Sequence, residues 1–136
     1  MTRLSLDEYA LALARTAASR SEDPYFPVGA CLIRHDKTVA ALGYAGPPSG
    51  IEVDWTDRDA RRVWMVHAEV NALRYVRPGE VALAAVTALP CAACLVQLAA
   101  YGVKRVVYRD DLDPVTYDTE QILRIAEGCV IEVSKV

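Results

Sequence analysis

Apolar residues recur along this chain at two spacings, one of three to four residues and one of short unbroken runs. Leu6, Tyr9, Leu13, Ala14 and Ala17 fall on one face of a helix running from Leu6 to about Ser19. Ser5-Leu6-Asp7-Glu8 supplies its start as a capping box, a serine with a glutamate three positions on. The polar loop Ser21-Glu22-Asp23-Pro24 ends it. Val28 to Ile33 is an apolar run of strand length, His35-Asp36-Lys37 is a hairpin turn, and Val39 to Leu42 is the partner strand. The glycine- and proline-rich stretch from Gly43 to Gly50 reads as a loop, and Asp57 to Val63 as a short charged helix or more of that loop.

The second half alternates more regularly. His67 to Val76 carries Val70, Leu73 and Val76 on one helical face, and Pro78-Gly79 closes it. Val81 to Ala88 is a strand, Ala92 to Tyr101 a helix ended by Gly102, and Val103 to Tyr108 a strand. Tyr117 to Glu127 is a helix with Gly128 as its terminator, and Cys129 to Val133 is a last strand. Alternating helices and strands make a parallel sheet covered by helices, and the opening hairpin makes that sheet mixed. The expectation is an α/β fold, a three-layer α/β/α sandwich with about five strands. At 136 residues the chain fits one domain, residues 1–136.

Composition narrows the partners. Hydrophobic residues are 53% and charged residues 24%, enough apolar material for a core. A formal net charge of −3 disfavours an extended nucleic-acid surface, although one or two arginines can still hold a small phosphate. The start lacks the apolar run of a signal peptide, and no stretch approaches the ~20 apolar residues that span a bilayer. A cytoplasmic protein with no membrane partner is expected. Its four cysteines are then reduced. Cys31 and Cys129 lie in apolar runs and read as core residues.

The candidate chemistry lies in His67-Ala68-Glu69 and Pro90-Cys91-Ala92-Ala93-Cys94. One imidazole and two thiolates make three zinc ligands, and a catalytic zinc keeps a fourth position open. H-x-E followed by P-C-x-x-C is the signature of zinc-dependent nucleobase deaminases. A lone C-x-x-C would fit a redox motif or a zinc ribbon equally well. Both ligand groups fall at predicted helix starts, where unpaired N–H groups favour thiolate. Pro90 is tolerated at such a start. Glu69 in isolation would be an ordinary exposed helix glutamate. Two residues after a ligand histidine, it reads as the proton shuttle that serves water, ring nitrogen and departing ammonia. His35 sits in a polar turn and reads as solvated. Trp55, Trp64 and Tyr25 are candidate walls for a base, with core packing as the plainer alternative.

The resemblance extends beyond this motif. Arg20-Ser21-Glu22-Asp23-Pro24 with Val28-Gly29-Ala30-Cys31 resembles the deoxycytidylate (dCMP) deaminase family. So do Gly43-Tyr44-Ala45-Gly46-Pro47, His67 to Leu73, and Pro90 to Cys94. The similarity runs from about Leu6 to the C-terminus. It implies the cytidine-deaminase-like fold, Zn2+ as cofactor, and hydrolysis of the C4 amine of a cytosine nucleotide, dCMP first. It also implies a homo-oligomer: hexamer, tetramer or dimer. The family pattern is G-Y-N-G, whose asparagine helps hold the substrate's sugar; here Ala45 stands in its place and offers no side-chain hydrogen bond. With Ala45, the substrate contacts expected are Ala68, Tyr25, Trp64 and the arginine cluster Arg58, Arg61 and Arg62. That cluster reads either as a solvated helix face or as a phosphate clamp.

Other readings stay open. The substrate could be a free nucleoside, a cytosine- or guanine-type base, or a modified cytosine metabolite. Adenosine deamination on tRNA is disfavoured by the acidic chain. A zinc-stabilised binding module without turnover would have no use for Glu69.

Overall fold

A computed structural model describes residues 2–136. Helix α1 spans Leu6–Ala18, and the hairpin strands β1 and β2 span Gly29–Arg34 and Val39–Tyr44. Helices α2 and α3 follow at Arg58–Trp64 and Ala68–Leu73. Strand β3 (Val81–Ala88), helix α4 (Ala92–Ala100), strand β4 (Arg105–Asp110), helix α5 (Thr119–Gly128) and strand β5 (Glu132–Lys135) complete the chain.

The five strands form one mixed sheet in the order β2-β1-β3-β4-β5. β1 is antiparallel to both its neighbours, whereas β3, β4 and β5 run parallel. Side chains alternate across a strand, so β1 divides its residues between two cores. Cys31 and Ile33 pack with Ala10, Leu11 and Ala14 of α1 on one face. Ala30 and Leu32 pack on the other, with Ala72 and Leu73 of α3, Leu95 and Leu98 of α4, and Ile122 and Ala126 of α5. The result is the three-layer α/β/α sandwich that the helix–strand alternation implies. Cys31 is fully buried, and burial pushes its thiol up to about 11. Cys129 is only half-buried, at the end of α5.

The capping box at Ser5 forms in both directions: Ser5 Oγ accepts from Glu8 N–H at 3.1 Å, and Glu8 Oε1 accepts from Ser5 N–H at 3.3 Å. Several boundaries differ from the sequence reading: α3 ends at Leu73 rather than Val76, and β5 spans Glu132–Lys135 rather than Cys129 to Val133. Gly43 and Tyr44 belong to β2 rather than to the following loop, because Gly43 pairs with Ala30 and Tyr44 with Gly29. Gly128 does not terminate α5; the helix runs through it, and the left-handed residue is Val130 at φ 56°. Ile131 N–H donates to Ala126 O at 2.9 Å and Val130 N–H to Glu127 O at 3.0 Å. That is a Schellman ending, and it uses Cys129 and Val130 before β5 begins at Glu132. At the end of α4 the same pair of bonds forms around Gly102, at φ 82°, as the sequence indicates.

Gly43 also sets the position of α3. A Cβ there would lie 2.5 Å from Ala68 O and 2.6 Å from Ala72 N, backbone atoms that cannot rotate away. Gly43→Ala is therefore expected to push α3 off the sheet and to cost about 1–3 kcal/mol, the usual range for overpacking. Because α3 carries the residues described next, the variant should also bind less metal. Urea denaturation and metal content measured on the same preparation check both effects.

Candidate active site

Strands β3 and β4 end side by side, and the crevice beyond the carboxyl ends of parallel strands is where open α/β sheets hold ligands. After β3 the chain passes through Leu89 and Pro90 to Cys91, the N-cap of α4. His67 is the N-cap of α3. Neither side chain is used to cap its own helix, so both remain available. Cys94 lies one turn into α4 and is buried.

The two helix starts bring these groups together. His67 Nδ1 lies 3.2 Å from Cys94 Sγ and 3.5 Å from Cys91 Sγ. The ligand atoms of His67, Cys91 and Cys94 all fall within 4.8 Å of one another. One imidazole nitrogen and two sulfurs converging in this way suit a borderline-soft cation such as zinc. The donor set fits that metal and leaves no fourth protein ligand among the described residues.

The electrostatics agree with the geometry. The Cys94 thiol donates to the Cys91 sulfur, and together with the bond from His67 this holds Cys91 down to about 4 against its partial burial. The same shared proton, reinforced by burial, keeps Cys94 well above an ordinary thiol. The bond to Cys91, with the nearby charges of Cys91 and Glu69, raises His67. Glu69 is the buried acid of this group, only 4% exposed. Burial holds its carboxyl above the usual carboxylate range. A carboxyl held above its ordinary range in this way is suited to exchanging protons with a neighbouring group.

A cavity of about 630 Å³ opens onto Glu69, His67 and Cys91. Of the other residues expected from sequence, Tyr25, Ala45, Arg61, Arg62 and Ala68 line it. Trp64 does not; it is 45% exposed at the end of α2. Arg58 does not line the cavity either. Its charge assists the Val115 and Thr116 hydrogen bonds in lowering the Asp113 carboxyl. His35 is exposed, with Nε2 3.1 Å from Gly79 O.

Several further lining residues are not among the substrate contacts expected from sequence. Leu112, Asp113, Thr116 and Tyr117 wall the cavity from the loop after β4. Asp23, Phe26 and Val28 wall it from the loop before β1, and Met65 from the end of α2. The signal that could have found the first group is topological: a loop following the carboxyl end of a parallel strand adjoins the ligand crevice. Ala45 is held by backbone contacts. Its N–H donates to Val28 O at 2.9 Å, and its carbonyl accepts from Ser21 Oγ at 2.6 Å.

The family model for the cytidine and deoxycytidylate deaminase zinc-binding region matches residues 4–110. The chain is 37% identical over 125 residues to a deoxycytidylate deaminase of Mycobacterium phage D29, covering 79% of this chain and 97% of that one. It is 30% identical over 118 residues to the deoxycytidylate deaminase of Homo sapiens, covering 79% of this chain and 66% of that one. The chain thus spans just under two thirds of the mammalian protein. Among solved structures, the dCMP deaminase of cyanophage S-TIM5 in complex with dCMP and dUMP superposes with a TM-score of 0.80 at 24% identity, over 100% of both chains. That likeness is one of fold.

Proposed function

The chain belongs to the cytidine and deoxycytidylate deaminase family, and from that premise we propose that it hydrolyses the C4 amine of a cytosine nucleotide, converting dCMP to dUMP and ammonia. The observation that carries this reading is a buried carboxyl, Glu69, beside His67, Cys91 and Cys94 at a cavity of about 630 Å³. His67, Cys91 and Cys94 are the residues that would hold zinc. Zinc bound there supplies Lewis acidity that makes water nucleophilic near neutral pH.

The chain's own residues supply the rest. Glu69 accepts a proton from the attacking water and returns it to the ring nitrogen next to C4. It then takes the proton of the new C4 hydroxyl and passes it to the amine, which leaves as ammonia while the carbonyl forms. Burial supports these transfers because it raises the Glu69 carboxyl. Arg61 and Arg62 put positive charge on the cavity wall, and a guanidinium there can meet a phosphate. The relatives in Mus musculus and Mycobacterium phage D29 are deoxycytidylate deaminases, which favours the nucleotide over the free base. Residues 1–136 would act as one deaminase domain, cytoplasmic and with reduced thiols, in a homo-oligomer.

Ala45 is the specific observation that favours a second reading, a nucleoside or a cytosine compound with a different sugar. It is 6% exposed and lines the cavity without a polar side-chain atom. Steady-state kinetics on dCMP, CMP, deoxycytidine and cytidine separate the two. If Ala45 is a relaxation of dCMP binding, Ala45→Asn improves kcat/KM for dCMP. An Ala45→Asn protein no better than wild type, in an enzyme that ignores dCMP, selects the second reading.

A further inference from the structure

The two neighbouring arginines on the cavity wall are not equivalent. Helix α2 buries none of its seven residues. The segment around it, residues 47–65, leaves the body after Gly46 and returns at Val66. That exit is closed by Gly46 N–H to Val66 O at 3.1 Å and Val66 N–H to Gly46 O at 2.9 Å. Among the described residues, no hydrogen bond or ion pair joins 47–65 to the rest of the chain. One directed contact does cross: the Arg61 guanidinium carbon lies 4.3 Å from the centre of the Tyr25 ring. Arg61 Nη1 also donates to Trp55 O at 3.3 Å, which ties the loop of this segment to its helix. Arg62 makes neither contact, and it too faces the cavity.

Building on the deaminase reading above, we infer that Tyr25 and Arg61 are positioning residues, a stacked pair that fastens the 47–65 segment over the cavity and leaves Arg62 as the cation offered to the substrate's anionic group. A guanidinium lying on a ring and bonded to a carbonyl already has its direction fixed. Residues 47–65 bring Arg61, Arg62 and Met65 to the cavity lining, so releasing the stack withdraws one whole wall. Loss of a wall weakens binding of any cytosine compound, whether phosphorylated or not. Loss of Arg62 weakens only the phosphorylated one.

The chain carries its own probe. Its two tryptophans, Trp55 and Trp64, both lie within this segment. In the zinc-loaded protein, Tyr25→Leu should raise acrylamide quenching of tryptophan fluorescence. Hydrogen exchange at residues 58–65 should quicken by roughly two- to fivefold, the factor an exposed cation–π contact is worth. Tyr25→Phe keeps a ring face and should behave as wild type. Arg61→Met should match Tyr25→Leu, and the double variant should add nothing to either single change.

With substrates, Tyr25→Leu and Arg61→Met should raise KM alike for dCMP and deoxycytidine with kcat unchanged. Arg62→Gln should raise KM for dCMP alone. Three results overturn the inference: wild-type quenching and exchange in Tyr25→Leu, a Tyr25→Phe protein as open as Tyr25→Leu, or an Arg61→Met defect confined to dCMP. If no cytosine compound is turned over, the deaminase reading falls, while quenching and exchange still decide whether the stack holds the segment.

Discussion

Replacing Glu69 with alanine is expected to reduce turnover by about 10²–10⁴-fold, the usual contribution of general acid–base catalysis, with the metal retained. The expectation follows from where Glu69 sits. It opens the first turn of α3, two residues from His67, and is buried against the cavity. It is not a member of the converging His–Cys–Cys group, so its removal leaves the donor atoms in place. Alanine is a strong helix former, so α3 should persist. The isosteric Glu69→Gln keeps the shape and loses the titratable oxygen; it should fall as far as Glu69→Ala if proton transfer is the role. Near-normal kcat in Glu69→Ala with any deaminated substrate would falsify the shuttle.

The second large effect is on the metal itself. Cys91→Ala removes the thiol that lies lowest of the site's sulfurs and faces His67 Nδ1 at 3.5 Å. Two remaining donors hold zinc poorly, because affinity depends on the full ligand set. The variant should emerge with zinc far below one per chain, and its Tm should no longer respond to added zinc. Cys129→Ala, outside the site and half-buried, is the matched control and should retain the metal. Full zinc occupancy in purified Cys91→Ala, read by elemental analysis, would remove Cys91 from the ligand set.

Much of this molecule is legible from residues close together in the chain. The alternation of β3, α4, β4, α5 and β5 shows in runs of apolar residues, and the Ser5 cap in four consecutive positions. The His67 and Cys91 groups are readable because spacing at a helix start fixes where side chains point. The cavity's outer walls are less readable. Asp113 and Tyr117 reach it only because β3 and β4 are parallel neighbours, a pairing between distant segments. Arg58, Arg61 and Arg62 look alike as a basic cluster. Only the turn of α2 and the position of Tyr25, far away in sequence, separate the arginines that line the cavity from the one that does not. Val130 marks a further limit. Gly128 carries the sequence signal for a helix end, yet the left-handed position falls two residues later on a β-branched side chain. Ile131, the next residue, is buried against the core.

The central claim is zinc-dependent hydrolysis of a cytosine C4 amine. Its most direct test is ammonia release from dCMP by protein of known zinc content, followed through chelation and stoichiometric zinc return. Ammonia and dUMP should appear in equal amounts, release should stop on chelation, and it should recover at about one zinc per chain. A zinc-loaded protein that releases no ammonia from dCMP, CMP, deoxycytidine or cytidine would contradict it.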